Sequence, residues 1–220
     1  MHAFLQALEE QRWDDHRYYH HSRINQSLHV VSAVCFLSSY VLVFTGSPIG
    51  AAVMGWFFAM VSRQVGHFFF EPKGYDQINQ ATHEHKEEIK VGYNLRRKQV
   101  LLSIWAMSPL LLLLDPTLFG QFEPRPGFGS FMERTATLWL WLGAGALMFR
   151  VVQLWFTRDF MTGIVWATKI ITDPFHDIKL YHRAPLQVLR GELLEPAHAE
   201  DHEGLASGLD EFDALERSSR

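Results

Sequence analysis

Hydrophobic residues are concentrated in four segments of the chain, and polar residues fill the stretches between them. The four segments are 30–46, 49–62 with a continuation through 70, 99–114 and 135–156. Each is long enough for one helix, and a membrane-spanning helix needs about 20 predominantly apolar residues. The pattern therefore predicts an all-α protein, a polytopic membrane helical bundle of about four apolar helices with polar N-terminal and C-terminal helices. A soluble all-α protein with very apolar core helices is the alternative, because the first three segments are short or contain a charge such as Arg63.

Lys and Arg are distributed unevenly between the connections. Residues 1–29, the connection 63–98 and the stretch after 156 are rich in them, whereas the turn 45–48 has none and the loop 115–134 has only Arg125 and Arg134. Connections rich in Lys and Arg lie on the cytoplasmic side of membrane proteins. Four crossings would bring the three basic regions to that side. The sequence thus predicts a multi-pass membrane protein with both termini in the cytoplasm.

Composition narrows the class of protein further. Of the 220 residues, 48% are hydrophobic and 14% aromatic, which excludes an intrinsically disordered chain. The net charge of −4, without a basic stripe, argues against a nucleic-acid partner. Residues 1–194 are predicted to form a single helical membrane domain. Residues 195–220 are acidic and are predicted to form a flexible tail, with His198 and His202 as surface residues.

Histidine is the residue type that points most directly to chemistry. Of the 12 histidines, a majority lie in segments that the charge pattern assigns to one membrane face. An unpaired histidine at a membrane edge is costly, so this placement indicates metal ligation. The single cysteine, Cys35, allows no thiolate cluster, and imidazole with carboxylate favours non-haem iron, with zinc or manganese as competitors. The candidate ligands are His20, His29, His67, His83, His85, His176 and His182.

Two short phrases of the sequence have helical spacing that suits one site. Residues four apart share a helix face, as Asn25 and His29 would, and as His67 and Glu71 would. The phrases are Tyr19-His20-x4-Asn25-x3-His29 and Gly66-His67-x-x-Phe70-Glu71. Together, over about residues 18–71, they resemble the signature of the fungal 2-hydroxy fatty acid dioxygenases and their bacterial relatives, which are small helical membrane proteins.

The resemblance implies an Fe(II) enzyme that uses dioxygen to oxidise a 2-hydroxy fatty acid, or a similar lipid, to an acid one carbon shorter. It implies His20, His29 and His67 as iron ligands. It also implies Glu71 as a ligand or a nearby base, and Asn25 as an orienting hydrogen-bond partner.

The chain departs from the signature of that family in three places. Arg63 stands where the family usually has Gln, the Pro-Ala pair expected soon after Glu71 is absent, and a polar insertion with His83 and His85 follows. The insertion also suits a solvated, salt-bridged helix. On such a helix His83 and His85 point to different faces, so at most one of them would bind the same ion.

A second metal site is predicted from the C-terminal region. Pro174 is expected to begin a helix with Asp173 as its N-cap, and this helix would bring His176 or His182 to the same membrane face. A helix that merely lies on the bundle is equally compatible with the pattern. A second site would favour a histidine-rich di-iron lipid hydroxylase or desaturase, although the HxxxH and HxxHH motifs of that class are missing. A non-enzymatic membrane metal-binding or scaffold protein is the remaining alternative.

Overall fold

A computed structural model describes residues 2–71, 74–92 and 95–196, and these residues form helices and connections without a β-strand. Two stretches are π-helical, π1 (Val53–Met60) and π2 (Gly66–Phe70). The α-helices are α1 (His2–Tyr19), α2 (Arg23–Phe44), α3 (Pro48–Ala52), α4 (Val61–Val65), α5 (His83–Ile89), α6 (Leu95–Met107), α7 (Pro109–Leu114), α8 (Phe128–Thr157), α9 (Phe160–Tyr181) and α10 (Ala184–Leu189).

Three helices are long and apolar enough to cross a membrane: Arg23–Phe44, Arg96–Leu114 and Phe128–Thr157. They contain the third and fourth apolar segments and all but the last two residues of the first, so the prediction of apolar helices there is confirmed. The helix Arg96–Leu114 consists of α6 and α7, with Ser108 and Pro109 at their junction. The all-helical fold and these three helices indicate a membrane protein.

The second apolar segment is helical from Pro48 to Phe70 but is not among these three helices. Along it α3, π1, α4 and π2 follow one another, so α-helical and π-helical hydrogen bonding alternate. A π-helical turn holds more residues than an α-helical one, which rotates the side chains beyond it, and such turns are frequent at functional sites. The segment therefore differs from the plain helix that its hydropathy predicts.

Helix α2 lies at the centre of the bundle. It packs against α9, against α10 and against each part of the segment from α3 to π2. Helix α8 packs on α3 and α9, and α1 lies along α9. Since α2 touches every piece of the segment 48–70, the two form an antiparallel pair joined by the short turn at Gly46, whose φ is +74°.

Polar side chains face inward and large apolar side chains face outward. Phe44, Leu114 and Phe156 are 90%, 84% and 86% exposed, whereas Asn25 and His29 have no exposed surface. A water-soluble protein shows the opposite distribution, because water favours burial of large apolar side chains. This arrangement suits a surrounding of lipid tails.

The predicted helix start at Pro174 is wrong. Helix α9 begins at Phe160 and is capped by Asp159, whose side chain accepts a hydrogen bond from the backbone N–H of Thr162. Pro174 lies inside α9 and is buried. Proline removes one backbone hydrogen bond from a helix, but α9 packs on α1, α2 and α8, and this packing compensates for the loss. Asp173 is not a cap, and its carboxylate accepts a hydrogen bond from Lys169 Nζ at 2.6 Å.

The first residue of the predicted tail, Glu195, contacts the helical domain. Its carboxylate lies 3.2 Å from Arg23 Nη1 and accepts a hydrogen bond from Gln26 Nε2 at 2.9 Å. Its backbone N–H donates to the carbonyl of His21. His198 and His202, with the rest of 197–220, lie outside the described residues.

Candidate metal centre

Three histidines from separate elements meet where the start of α2 lies beside the end of the segment 48–70. His20 lies in the short turn between α1 and α2, His29 lies on α2, and His67 lies on π2. Nε2 of His20 lies 3.1 Å from Nε2 of His29. One ligand nitrogen from each of the three residues lies within 4.8 Å of the other two. The two phrases of the sequence are thus brought together in space.

Local hydrogen bonds explain why the turn presents His20 toward His29. The side chain of Ser22 caps α2 by accepting from the N–H of Asn25, and Asn25 Nδ2 donates to the carbonyl of Tyr19 at 2.9 Å. Gln26 Nε2 donates to the carbonyl of His20 at 2.7 Å. The backbone on both sides of the turn is therefore tied to the first turn of α2. Asn25 orients the backbone before His20, whereas sequence analysis assigned it an undefined orienting role.

Two of the three imidazoles are held by a carboxylate on the nitrogen that faces away from the cluster. Nδ1 of His67 lies 2.7 Å from Oε2 of Glu71, and Nδ1 of His29 lies 3.4 Å from Oδ2 of Asp177. A carboxylate accepts hydrogen bonds, so each Nδ1 carries the proton and each Nε2 keeps its lone pair. This carboxylate–imidazole arrangement is the usual support of a metal-ligating histidine.

Burial keeps the cluster in its neutral, ligating form. His20 is 2% exposed and His29 is fully buried, and burial lowers the pKa of His20 well below its ordinary value of 6.5. Nδ1 of His20 is buried and has no hydrogen-bond partner among the described residues. Neutral imidazole is the form that binds metal ions.

The spacing of the nitrogens fits a metal ion. A metal–nitrogen bond of about 2.0–2.1 Å places neighbouring ligand nitrogens about 3.0–3.4 Å apart. The separation of 3.1 Å between His20 and His29 lies in this range. A donor set of imidazoles with carboxylates nearby and no thiolate suits iron, zinc or manganese. His20, His29 and His67 are therefore the residues that could hold an ion.

Glu71 contacts His67 through one oxygen and faces a cation with the other. Oε1 lies 3.6 Å from Lys90 Nζ, and both side chains are nearly buried. Burial raises the pKa of Glu71, and the positive charges of Lys90 and Lys98 oppose this effect. Of the two roles implied for Glu71, this geometry favours orientation of His67 over direct ligation.

The other four predicted ligands lie outside this cluster. His85 is exposed on α5, and His182 is exposed beyond α9, with Nδ1 3.1 Å from the carbonyl of Lys179. His83 and His176 are half-buried. Within the described ranges, the cluster of His20, His29 and His67 is the one group of three or more such side chains close enough to share an ion. The structure does not assemble a second cluster around His176 and His182, because a spacing of six residues places them on different faces of a helix.

Sequence analysis missed the contribution of α9 to this site. One face of this helix presents polar side chains at intervals of four residues, and all of them are buried. Asp177 contacts His29, and the ring of Tyr181 lies 5.6 Å from that of His20 between ring centroids. The four-residue spacing of these polar residues was visible in the sequence. The helix start predicted at Pro174 assigned them to two separate segments, so the shared face was not recognised. The four residues are Lys169, Asp173, Asp177 and Tyr181.

Gly66 is required where π2 passes α2. A Cβ at this position would overlap Oδ1 of Asn25 and approach the ring of His29 at 3.7 Å. We expect Gly66→Ala to lower the free energy of unfolding by about 1–3 kcal/mol, the usual cost of overpacking. Gly145→Ala on α8 is the matched control, because a Cβ there meets nothing within 4 Å and alanine favours a helix. Denaturant unfolding in detergent measures both, and equal stability of the two variants would contradict the close approach.

Acid should destabilise the metal-free protein through His20. Its pKa is lowered in the folded state, so the unfolded chain binds a proton more readily below about pH 6.5. The stabilisation is fully present above that pH and is lost as the pH falls below it. We expect the thermal midpoint of chelated protein to fall between about pH 7.5 and about pH 5.5, and to fall less in His20→Gln. His182→Gln, at an exposed position, should follow the wild-type profile, and identical slopes for both variants would contradict the assignment.

Comparison of this chain with protein-family models, curated proteins and solved structures found no match. Its function must therefore be inferred from the geometry of the site and from the two phrases that converge there. These describe a cluster of three histidines, two buried and one partly buried, in a helical protein with three helices long and apolar enough to cross a membrane.

Proposed function

We propose that the chain is an Fe(II)-dependent membrane dioxygenase that acts on a 2-hydroxy fatty acid or a similar lipid. The observation that carries the proposal is the convergence of His20, His29 and His67, two of them oriented by carboxylates. These are the three residues for which the resemblance to 2-hydroxy fatty acid dioxygenases implies iron ligation. Three nitrogen donors leave coordination positions for dioxygen and substrate, and bound Fe(II) would supply the activation of dioxygen.

The balanced reaction consumes one dioxygen for each 2-hydroxy acid. The bond between the carboxyl carbon and the hydroxyl-bearing carbon breaks, the latter becomes the carboxyl of an acid one carbon shorter, and the lost carbon leaves as carbon dioxide with one water. Dioxygen accepts the four electrons. Glu71, held against His67, would keep that ligand oriented throughout, and a shift of 1 Å in such a site is enough to impair catalysis.

The surroundings of the cluster suit an amphiphilic substrate. Phe69, two residues beyond His67, is 75% exposed on the outer face of π2, where lipid tails would lie. On the other side Tyr18 and Tyr19 pack against Ala81 and Ile89 of the connection 74–92, which shields the site from water. An acyl chain among the apolar helices could therefore present its polar head to the histidines.

Positive ammonium groups line the same end of the bundle. Lys90 lies 3.8 Å from the centroid of the Tyr19 ring and is nearly buried beside Glu71. Lys90 is paired with two carboxylates, Glu71 at 3.6 Å and Glu87 at 3.3 Å. The positive charge of Lys98 also acts on Glu71, and this second charge supports an acid, rather than a neutral lipid, as the substrate.

Iron analysis tests the proposal. We expect protein purified without oxygen to contain about one Fe(II) per chain, and His20→Ala, His29→Ala and His67→Ala each to lose it, because a three-nitrogen site cannot keep its geometry with two donors. Glu71→Gln should retain iron and lose about 10- to 100-fold in oxygen uptake with a 2-hydroxy fatty acid, the usual effect of removing an orienting carboxylate.

Exposed histidines provide the controls for this experiment. His85→Ala and His182→Ala should keep full iron and full oxygen uptake. Unchanged iron in all three ligand variants would exclude the centre. Iron without oxygen uptake or a shortened acid would favour a metal-binding protein over an enzyme, and two irons per chain would favour a di-iron hydroxylase.

We further propose that both termini lie in the cytoplasm and that segment 48–70 forms a fourth crossing. This segment runs antiparallel to α2 along its length, and its end at His67 meets the start of α2. A fourth crossing brings the three basic regions to one side, in agreement with the positive-inside rule. The metal centre would then face the cytoplasm.

Cysteine labelling tests this topology in a Cys35→Ala background. Glu123→Cys, in the exposed loop before α8, should react with a membrane-impermeant maleimide in intact cells. Glu9→Cys, on the exposed face of α1, should react only after permeabilisation. Labelling of both in intact cells, or the reverse pattern, would contradict the topology.

A further inference from the structure

The carboxylate that orients His29 is shared with a cation. Oδ2 of Asp177 lies 3.4 Å from His29 Nδ1 and 3.1 Å from Nη2 of Arg63. The three residues come from α2, α9 and α4, so only the folded bundle brings them together. Asp177 is 5% exposed and His29 is fully buried, so water does not replace either contact.

The charge of Arg63 is balanced mainly by Asp177. Arg63 also approaches Asp173, but at 4.0 Å, and Asp173 is already paired with Lys169 at 2.6 Å and with Arg12 at 3.6 Å. Lys169 in turn pairs with Asp15 at 2.8 Å. Three cations thus face three carboxylates along α9, and the Arg63–Asp177 pair is the one that reaches the metal centre.

His67, the other histidine held by a carboxylate, does not share its carboxylate oxygen with a cation. Glu71 contacts His67 at 2.7 Å through Oε2, while its cation, Lys90, lies 3.6 Å from the other oxygen. Asp177 contacts both His29 and Arg63 through the same oxygen, Oδ2. Its distance to the His29 imidazole, 3.4 Å, is longer than the 2.7 Å between Glu71 and His67. A carboxylate hydrogen-bonded to Nδ1 makes a histidine a stronger electron donor to its metal, and a cation on the same oxygen withdraws that density. On these contacts His67 would be the stronger electron donor to a bound ion, and His29 the weaker.

We infer that Arg63 is a positioning residue that, through Asp177, holds His29 as the weaker electron donor of the centre. This inference rests on the proposed metal site and adds a residue to it.

Two readouts test the inference without depending on turnover. In Co(II)-loaded protein, each ligand imidazole with a protonated Nδ1 gives its own shifted, exchangeable N–H resonance, so His29 and His67 can be followed separately. We expect Asp177→Asn to remove or move one resonance and Glu71→Gln to affect a different one. Arg63→Gln should move the resonance that depends on Asp177 and leave the other in place.

The Fe(III)/Fe(II) midpoint potential provides the second readout. Arg63→Gln returns the full charge of Asp177 to His29, stabilises Fe(III) and should lower the potential, whereas Asp177→Asn should raise it. Arg63→Lys keeps the charge and should stay near wild type. Arg63→Gln and Arg63→Lys leave Asp177 in place, so this comparison stands even if Asp177→Asn fails to fold.

Arg12→Gln is the control for the general effect of removing a cation. Arg12 pairs with Asp173 and not with Asp177, so its loss should leave the Asp177-dependent resonance unmoved. If Arg63→Gln leaves that resonance in place, or shifts both ligand resonances alike, the inference is overturned while the metal centre stands. If the wild-type protein binds neither Co(II) nor Fe(II), the proposed metal centre fails and the inference fails with it.

Discussion

The structure depends on the pairing of polar groups that the bundle buries in apolar surroundings. Asn25, Gln26 and His29 lie on the first turns of α2 without exposed surface. A buried polar group without a partner costs about 1–3 kcal/mol, so such groups define which neighbours α2 must have. Their partners are the carbonyls of the α1–α2 turn and a carboxylate on α9. The hydrogen bonds that these buried side chains of α2 require therefore place His20 and Asp177 beside His29.

The same requirement explains the composition of α9. Charged side chains are costly to bury, yet Lys169, Asp173 and Asp177 follow one another along the buried face of α9. Buried charges are tolerated when each has an opposite charge close by. Arg12 and Asp15 from α1 and Arg63 from α4 supply those charges. These ion pairs join α1 to α9, and the Arg63–Asp177 pair reaches the histidine cluster through His29.

The cluster of His20, His29 and His67 has one part held by backbone hydrogen bonds and another part beside an exposed apolar side chain. His20 and His29 are fixed by backbone hydrogen bonds at the buried start of α2. His67 lies on a π-helical turn whose outer face carries the exposed Phe69. Only glycine fits at position 66, where this turn crosses Asn25. The three histidines could hold a metal ion, and an apolar surface lies beside one of them.

The sequence by itself determined the apolar helices, because a long apolar segment has few alternatives to a helix. It offered seven candidate histidines, and the resemblance of two short phrases to a family signature implied His20, His29 and His67 among them. Local spacing also predicted the contact of His67 with Glu71, which is made within one helical turn. It could not determine Asp177 as the partner of His29, because the two are 148 positions apart in the chain. The π-helical turns, Pro174 inside α9 and the Arg63–Asp177 pair were also decided by tertiary structure. In each case the packing of distant helices outweighs the local preference of the residues, since a buried group takes whichever partner the assembled bundle brings within reach.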